Sequence, residues 1–282
     1  MTPRKKIIWK TLNKDLSLGE QTLIMGILNT TPDSFSDGGQ FTNCEIALQH
    51  ALQMIKDGAH IIDIGGESTR PGAEQVSLED ELQRTIPVIQ ALRQVSDIAI
   101  SIDTTKATVA KAALEAGANI INDVSGLQMD PQMIEVARDS GAGCVVMHMR
   151  GTPQDMQTKC NYRDVAKDVF EEISSTLSEL EKAGIQPNRL VLDPGIGFSK
   201  TAEQNIELMQ QLNIFAQAPY PMLLGTSRKS FIGHILNEPR ADQRLWGTAA
   251  SLCVGIQAGS HILRVHDVKE MAQLARVFDS IR

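Results

Sequence analysis

The chain has no apolar run long enough to cross a membrane. Of its 282 residues 42% are hydrophobic and 22% charged, and no stretch approaches the roughly 20 apolar residues of a spanning helix. The N-terminal stretch MTPRKKIIWK also lacks the apolar region and the small-residue cleavage site of a secretory signal. These absences argue against a membrane protein and predict a cytoplasmic location.

Cysteine and aromatic residues are both scarce, and basic residues show no excess. None of the four cysteines lies in a Cys-x-x-Cys pair, which predicts ordinary thiols instead of a zinc site or disulfides. Only 4% of the residues are aromatic, and 27 Lys plus Arg stand against 34 Asp plus Glu, for a net charge of −7. Without a basic block or interleaved aromatic and basic residues, the sequence predicts no nucleic-acid partner.

Short apolar runs rich in Ile, Val and Leu recur along the chain, with stretches of helical periodicity between them. The eight runs lie at residues 23–28, 61–64, 98–102, 120–121, 144–147, 190–192, 222–224 and 262–265. Continuous apolar strands that alternate with helices indicate a parallel sheet, and eight repeats suffice to close an α/β fold as a (β/α)8 TIM barrel. We therefore predict a single domain over residues 1–282, with residues 1–20 as a peripheral N-terminal segment. An open doubly wound sheet is the alternative.

Helix start and stop signals support this alternation. Ser77 and Thr201 are each followed three residues later by Asp or Gln, as in a capping box, and Thr42 stands in the same relation to Glu45. A glycine follows the last predicted turn in KDGAH, LEAGAN, RDSGAG and EKAGIQ. These signals predict where four helices end and where three begin.

Polar side chains follow nearly every predicted strand. In a barrel these positions meet at the C-terminal face, where loops far apart in sequence build the active site. An Asp, Asn or Ser after a strand can also be a simple helix N-cap, and for each one alone that interpretation stays open. A role as a helix N-cap does not explain why basic side chains also follow three of the predicted strands. The residues concerned are Asn29, Asp63, Arg70, Asp103, Asn122, His148, Asp193, Lys229, Arg264 and His266.

Two carboxylates, an amide and a lysine would surround a small polar floor. Asp103 and Asp193 accept hydrogen bonds, Asn122 both accepts and donates, and Lys229 donates. That combination suits a flat heterocycle with donors on one edge and acceptors on another.

Cations from the second and eighth loops, which the sequence predicts to be neighbours, would form a rim beside this floor. Arg70, Arg264 and His266 suit a phosphate or diphosphate. The motif DPGIGF is not a Gly-x-Gly-x-x-Gly fingerprint, so a dinucleotide site is rejected. His148 in VVMHMRG is a candidate general base, although a lone histidine at a strand end more often has a structural, hydrogen-bonded role.

Eight segments resemble the dihydropteroate synthase family of bacterial folate biosynthesis. They run in the family's order from residue 25 to 268, as MGILNTTPDSFSDGGQF, IIDIGGESTRPGA, SIDTTKATVAKAAL, INDVSG, LDPGIGFSKT, LLGTSRKSFIG, GTAAS and RVHDV. The resemblance implies that 6-hydroxymethyl-7,8-dihydropterin diphosphate and 4-aminobenzoate are joined to 7,8-dihydropteroate, with release of diphosphate. It further implies an SN1-like displacement, Mg2+ as cofactor, and a homodimer formed through the last helices.

The resemblance also implies roles for individual residues. Arg264 would lie over the pterin face and touch the diphosphate, with Met147 packing nearby. The residues that hydrogen-bond the pterin ring would be Asp103, Asn122, Asp193 and Lys229. The rest of the anion site would be Asn29, Arg70 and His266, and the 4-aminobenzoate pocket would be Thr69, Pro71, Phe198 and Ser230.

The segment NTTPDSFSDGGQF, residues 29–41, is predicted to be a lid over the barrel mouth. Asn29 at its start would reach Mg2+ and the diphosphate, which makes it the predicted metal ligand. Asp37 would place a negative charge near the developing cation and would be catalytic together with Lys229 and Arg264.

Three other functions fit parts of the same pattern. A pterin-dependent methyltransferase of related barrel fold would share the polar floor but would not need the cationic rim. A lyase could use Lys229 as a Schiff-base lysine, because burial lowers the pKa of an amine. An inactive pterin-binding paralogue would keep the floor and the rim without turnover.

Overall fold

The computed structural model describes residues 4–30, 40–68 and 75–281 of the chain. It contains an antiparallel hairpin and an eight-stranded parallel sheet with helices between the strands. The strands are β1 (Ile7–Thr11), β2 (Lys14–Leu18), β3 (Leu23–Asn29), β4 (Ile61–Gly65), β5 (Ala99–Asp103), β6 (Ile120–Asp123), β7 (Gly143–Met147), β8 (Leu190–Asp193), β9 (Leu223–Leu224) and β10 (Ile262–Val265). The α-helices are α1 (Gln40–Lys56), α2 (Leu78–Val95), α3 (Ala107–Ala116), α4 (Met133–Ser140), α5 (Val165–Lys182), α6 (Ala202–Gln210), α7 (Ser230–Leu236), α8 (Leu245–Ala258) and α9 (Val268–Ile281). None of the helices in the described ranges combines the length and the apolar character that a bilayer crossing requires.

The parallel sheet closes on itself. Pairing runs from β8 through β7, β6, β5, β4, β3 and β10 to β9. A parallel bridge then joins Leu192 of β8 to Met222, and the Leu192 N–H donates to the carbonyl of Pro221 at 3.0 Å. An open doubly wound sheet has two free edges and no such bridge. The predicted (β/α)8 barrel is therefore confirmed, with β3–β10 as its eight strands.

The order of strands corrects one prediction about the rim. Strand β3 pairs with β4 on one side and with β10 on the other. The loops after the second and eighth barrel strands therefore flank the first loop and are not neighbours of each other. Strand order around this barrel follows chain order, so the first strand separates the second from the eighth.

Two of the predicted helix starts are confirmed by their capping bonds. The Ser77 hydroxyl accepts from the Asp80 N–H at 3.1 Å at the start of α2. At the start of α6, Thr201 and Gln204 form a reciprocal capping box, in which each side chain accepts from the other's backbone N–H. Each bond satisfies an N–H that the first helical turn would otherwise leave without a partner.

Two helices differ from the prediction. Helix α1 begins at Gln40, two residues before the predicted N-cap Thr42, so the prediction of that helix start is wrong. The short helix α7 was not predicted, because seven residues offer too few turns for a helical period to be recognised.

The N-terminal hairpin covers the end of the barrel opposite the polar floor. Both β1 and β2 bury alternate residues, and Asn13 makes the turn between them with a φ of 59°. The Trp9 ring is fully buried, and its Nε1–H donates to the Arg189 carbonyl at 2.9 Å. Residues 1–20, predicted as a peripheral segment, thus contain a hairpin that seals the apolar base of the barrel. The buried cluster at this base comprises Trp9, Leu16, Leu18, Leu23, Met25, Ile61, Ala99, Ile120, Val145, Val191, Leu223 and Ile262.

Candidate active site

The side chains inside the barrel change from apolar to polar along the strands. Successive residues of a strand face opposite sides, so residues two apart share a face. The apolar base uses Ile61, Ile120 and Ile262, and the residues two positions further on are polar. The inward positions of this next layer are Asp63, Ser101, Asn122, Asp193 and Arg264, with Asp103 beyond Ser101. The strands therefore carry a polar floor at the C-terminal end, where a barrel enzyme has its active site.

Arg264 is the centre of this floor. Its Nε–H donates to Asp63 Oδ2 at 2.6 Å, and its NH2 group donates to Asp103 Oδ2 at 2.6 Å. Asn122 Nδ2 also donates to Asp63 Oδ2, at 3.0 Å. Two ionic hydrogen bonds from separate nitrogens fix the plane of the guanidinium, which a lysine could not reproduce.

Burial dominates the electrostatics around Arg264. Removal from water raises the pKa of Asp103 to about 7, even though Arg264 acts in the opposite direction. Burial would lower the pKa of Arg264, but the charges of Asp63 and Asp103 outweigh it and raise that pKa. Asp63 Oδ1 is buried and has no hydrogen-bond partner within the described part of the chain. One acceptor oxygen at the floor therefore receives no hydrogen bond from the described part of the protein.

A second pair of opposite charges lies beside this cluster. Asp193 Oδ1 accepts from the Gly195 N–H at 2.8 Å, and Lys229 Nζ donates to the carbonyl of Ile196. Lys229 Nζ also lies 4.5 Å from the centroid of the Phe198 ring, within cation–π range. Burial lowers the pKa of Lys229 to about 8, although Asp193 acts to raise it. Burial likewise raises the pKa of Asp193, against the charge of Lys229.

The remaining described residues of the predicted site lie around the mouth. His266 Nδ1 is 2.9 Å from the Ser227 hydroxyl, which also accepts from the His266 N–H at 3.1 Å. Met147 is buried at the end of β7, Asn29 is partly exposed at the end of β3, and Ser230 is exposed at the start of α7. The predicted site residues that lie in the described part of the chain therefore come together at the mouth. They are contributed by β3, β5, β6, β7, β8 and β10 and by the loop after β9.

Part of the predicted site falls outside the described residues. Those predictions concern Asp37 in the first loop and Thr69, Arg70 and Pro71 in the second. Beside the floor, a cleft of about 330 Å³ runs from Glu67 and Asp103 along Lys106 to Pro153. Lys106 donates to Glu67 and to Glu81, at 2.5 Å in the second case, and so ties the start of the second loop to α2.

Asp63 has no predicted role of its own, although the sequence contains a signal for one. A carboxylate within the apolar run IIDIGG cannot face the surrounding helices without a partner, so it had to face inward. His148, the candidate general base, is buried with Glu172 Oε2 2.9 Å from Nε2 and Lys200 Nζ 3.1 Å from Nδ1. Burial and the charge of Lys200 lower the pKa of His148 to about 4. Because protein groups occupy both ring nitrogens, His148 serves the structure behind the floor.

The fold and the site together have the arrangement of a barrel enzyme, with a polar and charged floor at the C-terminal end of the strands. The family model described as "Pterin binding enzyme" matches residues 25–266. A dihydropteroate synthase of Synechocystis sp. is 52% identical over 263 residues, which are 93% of this chain and 91% of that protein. The synthase of Bacillus subtilis is 48% identical over 94% of this chain and 90% of its own length. The chain therefore belongs to the dihydropteroate synthases within the pterin-binding enzymes.

Solved structures support the same assignment. A Xanthomonas albilineans dihydropteroate synthase with 4-aminobenzoic acid matches with a TM-score of 0.91 and 38% identity, over 98% of both chains. A structure of that enzyme with 7,8-dihydropteroate matches with a TM-score of 0.84 and 37% identity, over 93% of this chain and 94% of that one. The chain is a transferase of folate synthesis, and these relatives support the synthase prediction and not the methyltransferase alternative.

Proposed function

We propose that the barrel mouth binds 6-hydroxymethyl-7,8-dihydropterin diphosphate and 4-aminobenzoate and joins them to 7,8-dihydropteroate. The proposal rests on one observation. The hydrogen-bonding groups of the floor lie in the same barrel mouth as the basic side chains of Lys229, Arg264 and His266. A pterin ring needs acceptors for its amine and ring N–H groups and a donor for its carbonyl. The diphosphate on the same substrate needs the cations.

The pterin ring binds on the floor. Asp193 accepts from the exocyclic amine and a ring N–H, Asp103 and Asn122 meet other ring nitrogens, and Lys229 donates to the ring carbonyl. Asp103 uses Oδ2 for Arg264, which leaves its second oxygen for the substrate. Charged acceptors facing neutral donors form the stronger class of hydrogen bond.

The anionic leaving group binds at the rim. Arg264 covers the pterin face and reaches the diphosphate, His266 and Asn29 lie beside it, and Arg70 joins them from the second loop. Met147 packs against the ring, and Phe198 and Ser230 line the pocket for 4-aminobenzoate with Thr69 and Pro71. Asp63 and Asp103 hold the guanidinium of Arg264 at the floor before substrate arrives. Such preorganisation spares reorganisation when charge develops in the transition state.

The chemistry needs no nucleophile from the protein. The bond between the pterin methylene carbon and the diphosphate oxygen breaks, and its electron pair leaves with diphosphate. The electron-rich dihydropterin spreads the positive charge, with the negative charge of Asp37 nearby. The amine of 4-aminobenzoate then forms the carbon–nitrogen bond and loses a proton. The protein stabilises the leaving group and excludes water from the cation.

Asn29 would be the protein's ligand for a Mg2+ ion shared with the substrate diphosphate. The described residues hold no group of three or more His, Cys, Asp or Glu side chains placed for a metal ion. Mg2+ usually keeps several waters and binds through one or two protein groups together with substrate phosphates. The amide oxygen of Asn29, partly exposed at the end of β3, fits a single ligand of this kind. When bound, the ion would offset charge on the leaving diphosphate.

The direct test of the proposal is a reaction mixture of the protein, pterin diphosphate, Mg2+ and 4-aminobenzoate. Mass spectrometry should detect dihydropteroate, and omission of any one component should reduce its formation sharply. A Schiff-base lyase would instead be inactivated by borohydride in the presence of a carbonyl substrate. Binding of pterin without any product would identify an inactive paralogue.

Pterin affinity should depend on the protonation of Lys229. The pKa of this amine is lowered to about 8, so as pH rises through that value the amine loses its positive charge and one of its three N–H donors, which weakens its hydrogen bond to the ring carbonyl. We expect calorimetric affinity for a hydroxymethyl pterin to fall above about pH 8, after correction for the ligand's own titration. The change Lys229→Met should remove this alkaline decrease, whereas an unchanged decrease in the variant would assign it to another group.

We also propose that the chain forms a homodimer, because its last helices expose apolar side chains. Trp246 at the start of α8 is 82% exposed, and so large an exposed apolar side chain suits a place in an interface. The other exposed apolar residues of the last three helices are Ile235, Leu236, Val254, Val277 and Ile281. A second copy of the chain would cover apolar side chains of these helices.

Replacing Trp246 with Glu should weaken the homodimer, because a charge would enter the apolar interface. Sedimentation velocity should show a dimer for the parent and a larger monomer fraction for Trp246→Glu. The control Val95→Glu adds the same charge at an exposed position of α2, far along the chain from the last helices, and should sediment like the parent. A monomeric parent would contradict the dimer.

A cytoplasmic location is part of the proposal as well. All four cysteines are free thiols, which suits a reducing compartment. Cell fractionation would decide it.

A further inference from the structure

Lys200 is buried directly behind the active site, although no substrate role falls to it. The residue is 3% exposed, and no carboxylate is among its hydrogen-bond partners in the described residues. A buried lysine is costly unless its donors are satisfied. The three N–H groups of an ammonium have three acceptors here: the carbonyls of Gly195 and Phe198, at 3.0 and 2.9 Å, and His148 Nδ1 at 3.1 Å.

The turn that Lys200 binds carries two parts of the active site. It runs over residues 194–199, between β8 and α6. Its Ile196 carbonyl accepts from Lys229, and its Phe198 ring lies under the same amine. Its Gly195 N–H donates to Asp193 Oδ1 at 2.8 Å. The shape of the turn thus sets the positions of Lys229 and Phe198 and one hydrogen bond of Asp193.

The turn does not hold this shape by ordinary backbone preference. Gly195 and Gly197 have positive φ of 67° and 86°, and Ser199 has a φ of 46°, which costs a residue with a side chain. A Cβ on Gly195 would stand 1.9 Å from the carbonyl oxygen of His148, so the turn presses directly on the end of β7. Contacts from outside the turn must therefore hold its backbone in this conformation.

His148 links Lys200 to the protein surface. The pKa of His148 is lowered to about 4 by burial and by Lys200, so its ring is neutral and Nδ1 accepts from the amine. Nε2 then carries the proton and donates to Glu172, whose pKa falls to about 2 because the bonds from His148 and Arg150 outweigh burial. Burial and Lys229 lower the pKa of Lys200 itself to about 7.

We propose that Lys200 is a positioning residue that ties the turn of residues 194–199 to His148, and so holds the Ile196 carbonyl and the Phe198 ring where Lys229 and 4-aminobenzoate need them. This inference rests on the proposed roles of Lys229 and Phe198. Lys200 acts through the turn and touches neither substrate.

The chain offers a matched control for this inference. Arg189 is a buried cation just before β8, as Lys200 is a buried cation soon after it. Its guanidinium donates to three backbone carbonyls, those of Ala137, Arg138 and Ala142. Replacing it removes as many hydrogen bonds as replacing Lys200, but at the apolar base of the barrel.

The test compares Lys200→Met with Arg189→Met in steady-state kinetics and in hydrogen exchange of the turn amides. For Lys200→Met we expect the KM for 4-aminobenzoate to rise roughly tenfold, by more than kcat falls, and the amides of residues 195–199 to exchange faster. Arg189→Met should lower stability but keep the parent's KM and the parent's exchange in the turn.

A second variant keeps the inference testable where Lys200→Met fails to fold. Lys200→Gln retains a hydrogen-bond donor on a shorter side chain and should give intermediate values of KM and of exchange. A folded Lys200 variant with the parent's KM and turn exchange would overturn the inference, and so would an equal rise in KM for Arg189→Met. Hydrogen exchange needs no turnover, so it tests the role of Lys200 even in a protein that makes no dihydropteroate. A parent without product would contradict the proposed function, and the exchange of the turn amides would still support or overturn the inference about Lys200.

Discussion

Replacing Asp193 with Asn should abolish most pterin binding. The Gly195 N–H donates to one oxygen of Asp193, and it will keep the amide oxygen of an asparagine on its side. The NH2 group must then face the pterin's own donors. Loss of the charged acceptor and the opposed donors should together cost about 2–4 kcal/mol of binding free energy, or roughly 30- to 1,000-fold in Kd.

Titration calorimetry with a hydroxymethyl pterin measures this loss. The control is Asp123→Asn, which neutralises a buried carboxylate of β6 whose neighbour Asn122 is the residue that faces the floor. We expect the control to bind pterin like the parent. Retained affinity in Asp193→Asn would remove Asp193 from its proposed role.

Replacing Arg264 with Ala should have the second large effect, on stability as well as on binding. The change leaves Asp63 and Asp103 close together, without the cation that pairs with both. Breaking a buried ion pair by removing one partner costs about 3–5 kcal/mol, and the lower end applies because the Arg264 side chain is 22% exposed. Affinity for the diphosphate substrate should fall further than affinity for the free hydroxymethyl pterin, since charge pairing with the leaving group is lost.

The pH dependence of the Arg264→Ala deficit follows from the same carboxylates. The pKa of Asp103 is raised to about 7 in the folded protein and should rise further without Arg264. A carboxyl with a raised folded pKa binds more protons in the folded state than in the unfolded state, so its penalty is present at high pH. The deficit in unfolding free energy should therefore be largest above about pH 7 and should shrink as pH falls toward the ordinary range of an aspartate.

Urea unfolding of a double-mutant cycle tests this account of Arg264. Asp63→Asn combined with Arg264→Ala should cost less than the sum of the two single changes, because each removes the other's partner. The control Arg228→Ala breaks the Arg228–Asp267 pair, which is more exposed, and should cost less than about 1 kcal/mol. Strict additivity in the cycle would mean that the floor does not depend on the pairing of Arg264.

The barrel could be predicted because its eight strands are buried on both faces. Such strands appear in the sequence as continuous apolar runs, and a polar residue that ends a run marks the C-terminal face. That is how Asp103, Asn122 and Asp193 could be assigned to one floor with Lys229. Arg264 was predicted at the rim, but its hydrogen bonds to Asp63 and Asp103 place it at the centre of the floor. The hairpin was not predicted because its strands bury only alternate positions, so that Trp9 is buried between the exposed residues Ile8 and Lys10.

Partnerships inside the site could not be predicted in the same way. The pairing of Arg264 with Asp63 and Asp103 depends on where a long side chain turns within a shared cavity, 201 and 161 residues away in sequence. Lys200 follows the turn it supports and has no periodicity or motif that distinguishes it from a surface lysine. Its role emerges only when Gly195, Phe198 and His148 are seen to surround one amine.

The most direct test of the central claim is to follow a heavy oxygen isotope placed between the pterin methylene carbon and the diphosphate. The account predicts cleavage of the carbon–oxygen bond, so the label should leave entirely with diphosphate while dihydropteroate forms in equal amount. Mass spectrometry of both products gives the distribution. Label retained on a hydroxymethyl pterin, or diphosphate released without dihydropteroate, would contradict the claim that this mouth joins the two substrates.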